Sequence, residues 1–434
     1  MQTANWALQA GRSLQRKQTG FVHYCAQSED GISHDTIPVL ENALFALALF
    51  RTRLADNVLE GKALLERLLP FEVEGNFPVY LHEFPQMHDP FLHLRLLPVL
   101  FWVRSDFAHV IGDLKERLDG CMEGILQRAQ EQSLPRWAAY RCLAFEGKLG
   151  PTPQGLFEWG EALISLQIAE KRGLAIEEEI AKAYAEWHPD LHLYTGPALR
   201  RHQRGSEPDL SLFDLFLSEW QKDFPMRGSE IAPLHLRGAL IRPLSFTPKI
   251  ESKPLPYIHF DEAEECPLFI GWKGERSVHT FALAKRHLSV EGSVEEIVLT
   301  FPEERPDTDE KRLEINFFLD HHPDHEIFVQ GAKATTFQMG DEVEIRSDGA
   351  KILLSFSGEG GKFFGHILRG NRPSQHCCTG KREFAAYDWR IAIRTVSREK
   401  NAIMRVQVHL QQEPESQPLH PSHASHYPHK ELSP

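Results

Sequence analysis

The chain has 434 residues, 41% of them hydrophobic and 25% charged, and a formal net charge of −13. That balance is ordinary for a soluble globular protein. It excludes a surface built mainly for nucleic acid or anionic lipid, both of which select for positive charge. The length points to two domains. No run reaches the roughly 18 apolar residues of a membrane span, and the opening MQTANWALQAGRSLQRKQ lacks the apolar centre of a secretory signal. No membrane partner is therefore expected, and the expected location is the cytoplasm. Six cysteines without CxxC spacing, the adjacent Cys377-Cys378 among them, read as reduced thiols.

In chain order, residues 4–18 read as a first helix. Gly20 to Tyr24 is a short extended piece, followed by a polar loop and then a helix over 36–53 opened by Asp35-Thr36. The one-faced helix 57–69 comes next, with Val58, Leu59, Leu65, Leu68 and Leu69 on its apolar side. The same order returns from Phe77: an extended Phe77-Pro78-Val79-Tyr80, a loop with His82, Glu83 and His88, an Asp89-Pro90 helix start, and a helix over 91–103 apolar almost all round. A one-faced helix over 113–131 follows.

Tyr24 and Tyr80 are 56 residues apart, and His34 and His88 are 54 apart. A third copy is read at Trp137 to Tyr140 with a helix after Thr152-Pro153. A fourth is read at Leu193-Tyr194 with a helix opened by Ser211-Leu212-Phe213-Asp214. A wholly apolar helix alternating with a one-faced helix implies two layers, inner and outer, curving into an arc or an incomplete α/α toroid.

Past residue 225 the period changes. Pro233, Pro243, Pro248, Pro254 and Pro256 interrupt any helix, and short alternating runs take over. Nine to twelve strands are expected, among them 268–272, 278–283, 296–301, 312–319, 342–346, 351–356, 363–368, 388–395 and 404–410. Ser347-Asp348-Gly349-Ala350 reads as a two-residue hairpin turn. The fold class is therefore α+β and multidomain: a helical-hairpin domain over 1–228, an antiparallel β-sandwich over 229–412, and a disordered His/Pro-rich tail over 413–434.

The loops that lead into the inner helices carry the chemistry-bearing side chains. Tyr80, His82, His88 and Tyr140 are the candidate catalytic groups. Tyr24, His34, Asn76, Glu83, Trp137 and Arg141 are the candidate substrate contacts. Aromatic platforms with arginines, histidines and tyrosines suit a sugar polymer bearing acidic groups. Packing by the tyrosines and helix capping by His34 and His88 are the competing structural roles. No cofactor is expected. His321, His322, Asp324 and His325 form a ligand-type run that would suit a divalent ion, but an acidic turn between strands is the preferred reading.

The layout of residues 1–412, helical repeats followed by an all-β half, resembles the polysaccharide lyases of the heparinase II/III and chondroitin-lyase type. The resemblance implies β-elimination on an acidic polysaccharide or oligosaccharide, in a cleft between the helical and β domains. It also implies an Asn or Arg opposite the uronate carboxylate, a His or Tyr taking the C5 proton, and a Tyr protonating the leaving oxygen. By residue type these match Asn76, Tyr80, His82, His88, Tyr140 and Arg141. Two alternatives stay open: a non-catalytic carbohydrate- or protein-binding scaffold, and a glycoside hydrolase using two of Glu83, Asp89 and Glu158. The sequence leaves oligomeric state open.

Overall fold

A computed structural model describes residues 2–412 apart from 28–32, 154, 192, 196–211, 221–231, 244–245, 247–251, 265, 276–277, 285–286, 304–312, 321, 323–324, 370–374, 377–381 and 384–388. The tail after residue 412, the Cys377-Cys378 pair, His321 and Asp324 thus lie outside the described residues. The chain divides into two compact units, 1–253 with 375–386, and 254–374 with 387–434. The first is helical and the second is built on an antiparallel sheet, an α+β arrangement. No helix among the described residues is long and apolar enough to cross a membrane.

In the helical unit, α1 spans Gln2–Leu14, α2 Val39–Arg51, α3 Ala55–Leu68, α4 Leu92–Asp106, α5 Leu114–Gln130, α6 Arg136–Phe145, α7 Leu156–Lys171, α8 Glu177–Ala185, α9 Leu212–Trp220 and α10 Ala232–Arg237. The expected alternation is present. Along α2, α4 and α7 nearly every residue from the second turn on is buried, including Phe45, Phe50, Trp102 and Trp159. By contrast α3, α5 and α8 bury one face each. On α3 that face is Gly61, Leu64, Leu65 and Leu68, whereas Leu59 is 65% exposed. The face turns because Gly61 lies against the α2 backbone, where a Cβ would come within 2.9 Å of the Ala46 carbonyl. α1 packs on α2, and also on α9 and α10.

Three helix boundaries depart from the sequence expectation. Residues 33–36 form strand β2 (Ser33–Thr36), paired with β1 (Tyr24–Gln27), so α2 starts only after Pro38. Asp89 accepts a hydrogen bond from the Phe91 N–H at 2.8 Å in a turn that precedes α4, instead of capping the helix itself. Helical structure also continues past residue 225: α10 includes Pro233. The proline is tolerated because it lies in the first turn, where backbone N–H groups have no intrahelical acceptor.

The third repeat differs more deeply. Trp137 to Tyr140 lies inside α6 and is not extended. The fourth does contain the extended piece, as the two-residue strands β3 (Trp187–His188) and β4 (Leu193–Tyr194).

The second unit has an eleven-stranded antiparallel sheet. Its strands are β5 (Tyr257–Phe260), β6 (Leu268–Lys273), β7 (Val278–Ala284), β8 (Ser289–Gly292), β9 (Glu296–Thr300), β10 (Leu313–Leu319), β11 (Glu326–Val329), β12 (Thr336–Gln338), β13 (Glu342–Ser347), β14 (Ala350–Leu368) and, numbered past the two-residue strands β15 (Gln375–His376) and β16 (Arg382–Glu383), β17 (Trp389–Gln412). Asp348-Gly349 makes the expected tight turn between β13 and β14, with Gly349 at φ +80°.

The segment Gly358-Glu359-Gly360-Gly361-Lys362, expected to separate two strands, instead lies within β14, which runs unbroken beside β17. The register shifts there, and Gly360 at φ +72° supplies the left-handed residue that such a bulge uses. One edge of β17 pairs with β14 along most of its length, with a break at 399–402. The other edge takes β10 near its start and β9 near its end. A single apolar core gathers Phe281, Phe317, Phe356, Ile352, Ile393 and Met404 from both stretches.

Candidate functional site

Two groups of side chains have the chemistry of a site, one in each unit. In the helical unit, Tyr24 leaves β1 and Tyr80 stands opposite Pro38, bridged to it through the backbone. Buried amides fix both tyrosine-bearing segments. Asn42 accepts from the Val22 N–H at 2.7 Å and donates to the Val22 and Pro38 carbonyls. Asn76, fully buried, donates to the Asp89 carbonyl at 3.0 Å and accepts from the His93 N–H at 3.0 Å. The result is a cluster: the Tyr24 and Tyr80 rings meet edge-on at 6.2 Å, and His82 stacks on Tyr80 at 5.7 Å. Tyr24 and Tyr80 are half-buried and His82 is exposed. Glu83 braces the turn, its carboxylate accepting from the Tyr80 N–H at 3.1 Å.

Glu41, on the first turn of α2, faces the same cluster. Burial pushes its carboxyl above the usual carboxylate range, against the opposing pull of its own backbone N–H, Arg237 and Arg95. It still retains solvent access. The Tyr24 phenol is in turn raised well above 10, first by burial, then by Glu41 and Tyr80. Beyond Glu41 lies an arginine group. Glu161 of α7 is 1% exposed and takes Arg141 on Oε2 and Arg237 on Oε1 at 2.7 Å, while Arg95 reaches Oε1 at 3.6 Å. Arg95 lies over the Trp137 ring at 4.3 Å, and Trp137 meets Phe91 edge-on.

Of the residues singled out from sequence, Tyr24, Tyr80, His82 and Glu83 come together. Asn76 braces the start of α4. His88 is exposed in the loop before α4. His34 lies on β2 opposite Ala26, and its side chain is outside the described residues. Trp137 is half-buried under Arg95. Tyr140 is 3% exposed, and its hydroxyl donates to Glu158 at 3.1 Å. Burial and then the Glu158 carboxylate push that phenol up to about 12. Arg141 is 1% exposed, with both of its terminal nitrogens on Glu161 and Ser165. Its guanidinium therefore holds α6 to α7 and is not presented to solvent. The acids proposed for hydrolysis are each engaged: Glu83 with a backbone N–H, Asp89 in its turn, Glu158 with Arg136 and Tyr140.

Sequence reasoning missed Glu41, Arg95, Glu161 and Arg237. Glu161 was legible in principle. An acid inside the fully apolar face of α7 must have a buried cationic partner, because an unpaired buried charge is too costly.

In the β unit, His279 of β7, Asp320 at the end of β10 and His325 before β11 bring their ligand atoms within 4.8 Å of one another, all buried. His279 Nδ1 is 3.2 Å from Asp320 Oδ2 and 3.0 Å from His325 Nε2. Ligands about 2.0–2.1 Å from a tetrahedral ion stand roughly 3.3 Å apart, close to these spacings. Among the described residues the other ring nitrogen of each histidine, His279 Nε2 and His325 Nδ1, is buried without a hydrogen-bond partner. The His322 ring is 4.9 Å from that of His279 and could supply a fourth ligand.

Asp320 is fixed from behind by the Thr280 N–H at 2.7 Å. Although burial opposes it, the His325 and His279 rings hold its carboxyl well below the usual range. Burial lowers His325 to about 4, so its ring is neutral near pH 7. The donor set fits a divalent ion of the zinc type. Of the set expected from the sequence, His325 belongs to this group and His322 lies near it, while His321 and Asp324 lie outside the described residues. His279 comes from a strand 46 residues earlier, and Asp320 from the end of β10. A histidine inside the largely apolar strand Val278–Ala284 was the available signal.

No family model matches the chain, and a search of curated proteins returns no match.

Proposed function

We propose that the protein is a polysaccharide lyase-like enzyme that cleaves an acidic polysaccharide by β-elimination on its helical unit. The Tyr24–Tyr80–His82 cluster carries this reading. β-Elimination needs one group to take the C5 proton and another to protonate the leaving oxygen as the C4–O bond breaks and the C4=C5 double bond forms. An exposed imidazole stacked on a phenol, with a second phenol edge-on, offers both within one small surface.

The architecture supports the same reading. The contact of α1 with both α2 and the last helices α9 and α10 suits a closed ring of hairpins. Sheet growth from both ends of β14 and β17 around one core suits a sandwich.

In the β unit, His279, Asp320 and His325 would hold a divalent ion. Burial of all three suits an ion that ties β7, β10 and the segment before β11 together.

The test is a survey of heparan, chondroitin, hyaluronan and alginate with purified protein. An unsaturated uronate product absorbs in the short-wavelength ultraviolet, so cleavage of at least one polymer should raise absorbance. Binding without any absorbance change on every polymer would favour the scaffold reading.

A further inference from the structure

Asn42 is the only polar residue among those that α2 buries, and it is 0% exposed. A buried amide is tolerated where its polar atoms are bonded, and those of Asn42 reach two separate segments. Val22 faces Gln15 across a bridge in which neither donates to the other. The His23 N–H goes instead to the Leu14 carbonyl at 3.0 Å, and the Arg16 N–H to the Phe21 carbonyl at 2.9 Å. The Val22 N–H and carbonyl are left for Asn42, which accepts from the first at 2.7 Å and donates to the second at 2.9 Å. In this it stands in for a neighbouring strand. Its other amide hydrogen goes to the Pro38 carbonyl at 2.7 Å.

The two segments carry the two phenols. Tyr24 lies two residues beyond Val22, opposite Thr36 on β2. Tyr80 lies opposite Pro38, held there by the Val39 N–H on the Val79 carbonyl and the Leu81 N–H on the Ile37 carbonyl, each at 3.0 Å. One buried amide thus keeps Val22 and Pro38 in register, and with them two rings whose centres are 6.2 Å apart.

We infer that Asn42 is a positioning residue, which sets the contact between Tyr24 and Tyr80 from beneath without reaching substrate. Its effect on rate rests on the lyase reading; its effect on the two rings does not. Two substitutions separate its links. Asn42→Ser leaves a hydroxyl that bonds the carbonyl four residues back in a helix, which is that of Pro38, and it releases Val22. Asn42→Asp keeps the acceptor for the Val22 N–H and loses both donors.

Fluorine NMR on the full chain labelled with 3-fluorotyrosine tests this, at a temperature where melts show every variant folded. Tyr24→Phe and Tyr80→Phe assign the two resonances. Asn42→Ser should move the Tyr24 resonance and leave that of Tyr80 in place, whereas Asn42→Asp should move both. Gln167→Ala controls for general loosening: it removes another buried amide of the helical unit, 2% exposed and donating to the Arg242 carbonyl at 2.6 Å, and should move neither. On whichever polymer yields unsaturated product, both Asn42 variants should lower kcat by about tenfold or more and keep KM within about twofold, with Gln167→Ala at the wild-type values. Asn42→Ser keeps a helix bond and decides alone if Asn42→Asp does not fold. The inference is overturned if neither resonance moves in the Asn42 variants, or if Gln167→Ala moves them as much. Moved resonances with no product from any polymer would remove the lyase reading and keep Asn42 as the residue that sets the ring contact. Cleavage at the wild-type kcat in the Asn42 variants would overturn the inference and leave the lyase reading standing.

Discussion

Glu161→Gln should be among the most damaging single substitutions in the helical unit. The side chain is 1% exposed and is the shared anion for Arg141, itself 1% exposed, and for Arg237. The amide fills nearly the same volume, so the change removes charge and little else. The Arg141 guanidinium, 1% exposed, and the largely covered Arg237 are left without their shared anion. Breaking a buried ion pair by removing one partner costs about 3–5 kcal/mol. At about 2–4 °C per kcal/mol for a unit of this size, the melting temperature should fall by about 6–20 °C.

The pH dependence gives a second reading of the same pair. Burial alone would raise the Glu161 carboxyl, but Arg237, Arg141 and Arg95 together hold it below its ordinary value. A depressed folded-state value means that its stabilisation is complete above the unfolded-state pKa of about 4.3 and fades as pH falls toward the folded value. Denaturant titrations across that window should show the wild type losing an increment that Glu161→Gln no longer has. Equal melting temperatures for the two proteins, or parallel pH profiles, would refute the view that Glu161 ties α4, α6, α7 and α10 together.

Two further outcomes follow from the β unit. Gly365 of β14 lies under Phe337, whose ring is 2.1 Å from where a Cβ would stand. Gly365→Ala should therefore cost about 1–3 kcal/mol by equilibrium unfolding, and Gly365→Ala with Phe337→Leu should recover part of it; an unchanged midpoint for the single variant would show that the sheet yields easily there. At a hundredfold excess over its dissociation constant, zinc should stabilise by about 2.7 kcal/mol. The effect should be visible as a raised melting temperature that a chelator reverses and that His279→Ala and His325→Ala abolish. Identical melts with zinc and chelator, together with no metal in the purified protein, would refute the site.

The parts of the structure legible in the sequence were those set by periodicity. The all-round apolar α2 and α4, the one-faced α5, and the Asp348-Gly349 turn follow from residue pattern and turn chemistry alone. Tyr24 and Tyr80 were found as equivalents because an extended piece, a polar loop and an apolar helix follow in the same order at each, 56 residues apart.

The misreadings have local causes. Trp137 to Tyr140 follows Pro135, which suits the residue before a helix as well as a strand, and the apolar i, i+3, i+4 contacts inside α6 decided for helix. Glycines at 358, 360 and 361 look like a loop in one dimension. In the sheet, β17 supplies partners on both sides of the bulge, so the strand continues. The arginine group on Glu161 and the His279–Asp320–His325 set escaped notice because each joins residues distant in sequence, brought together only by packing.

The central claim is that Tyr80 and His82 act on substrate rather than brace the fold, and the comparison of rate with melting temperature tests it most directly. On whichever polymer yields unsaturated product, His82→Ala and Tyr80→Phe should each lower the rate by about a hundredfold or more, with melting temperatures close to that of the wild type. Wild-type rates in both variants, or lost stability accompanied by a rate that falls only in proportion to the folded fraction, would contradict it.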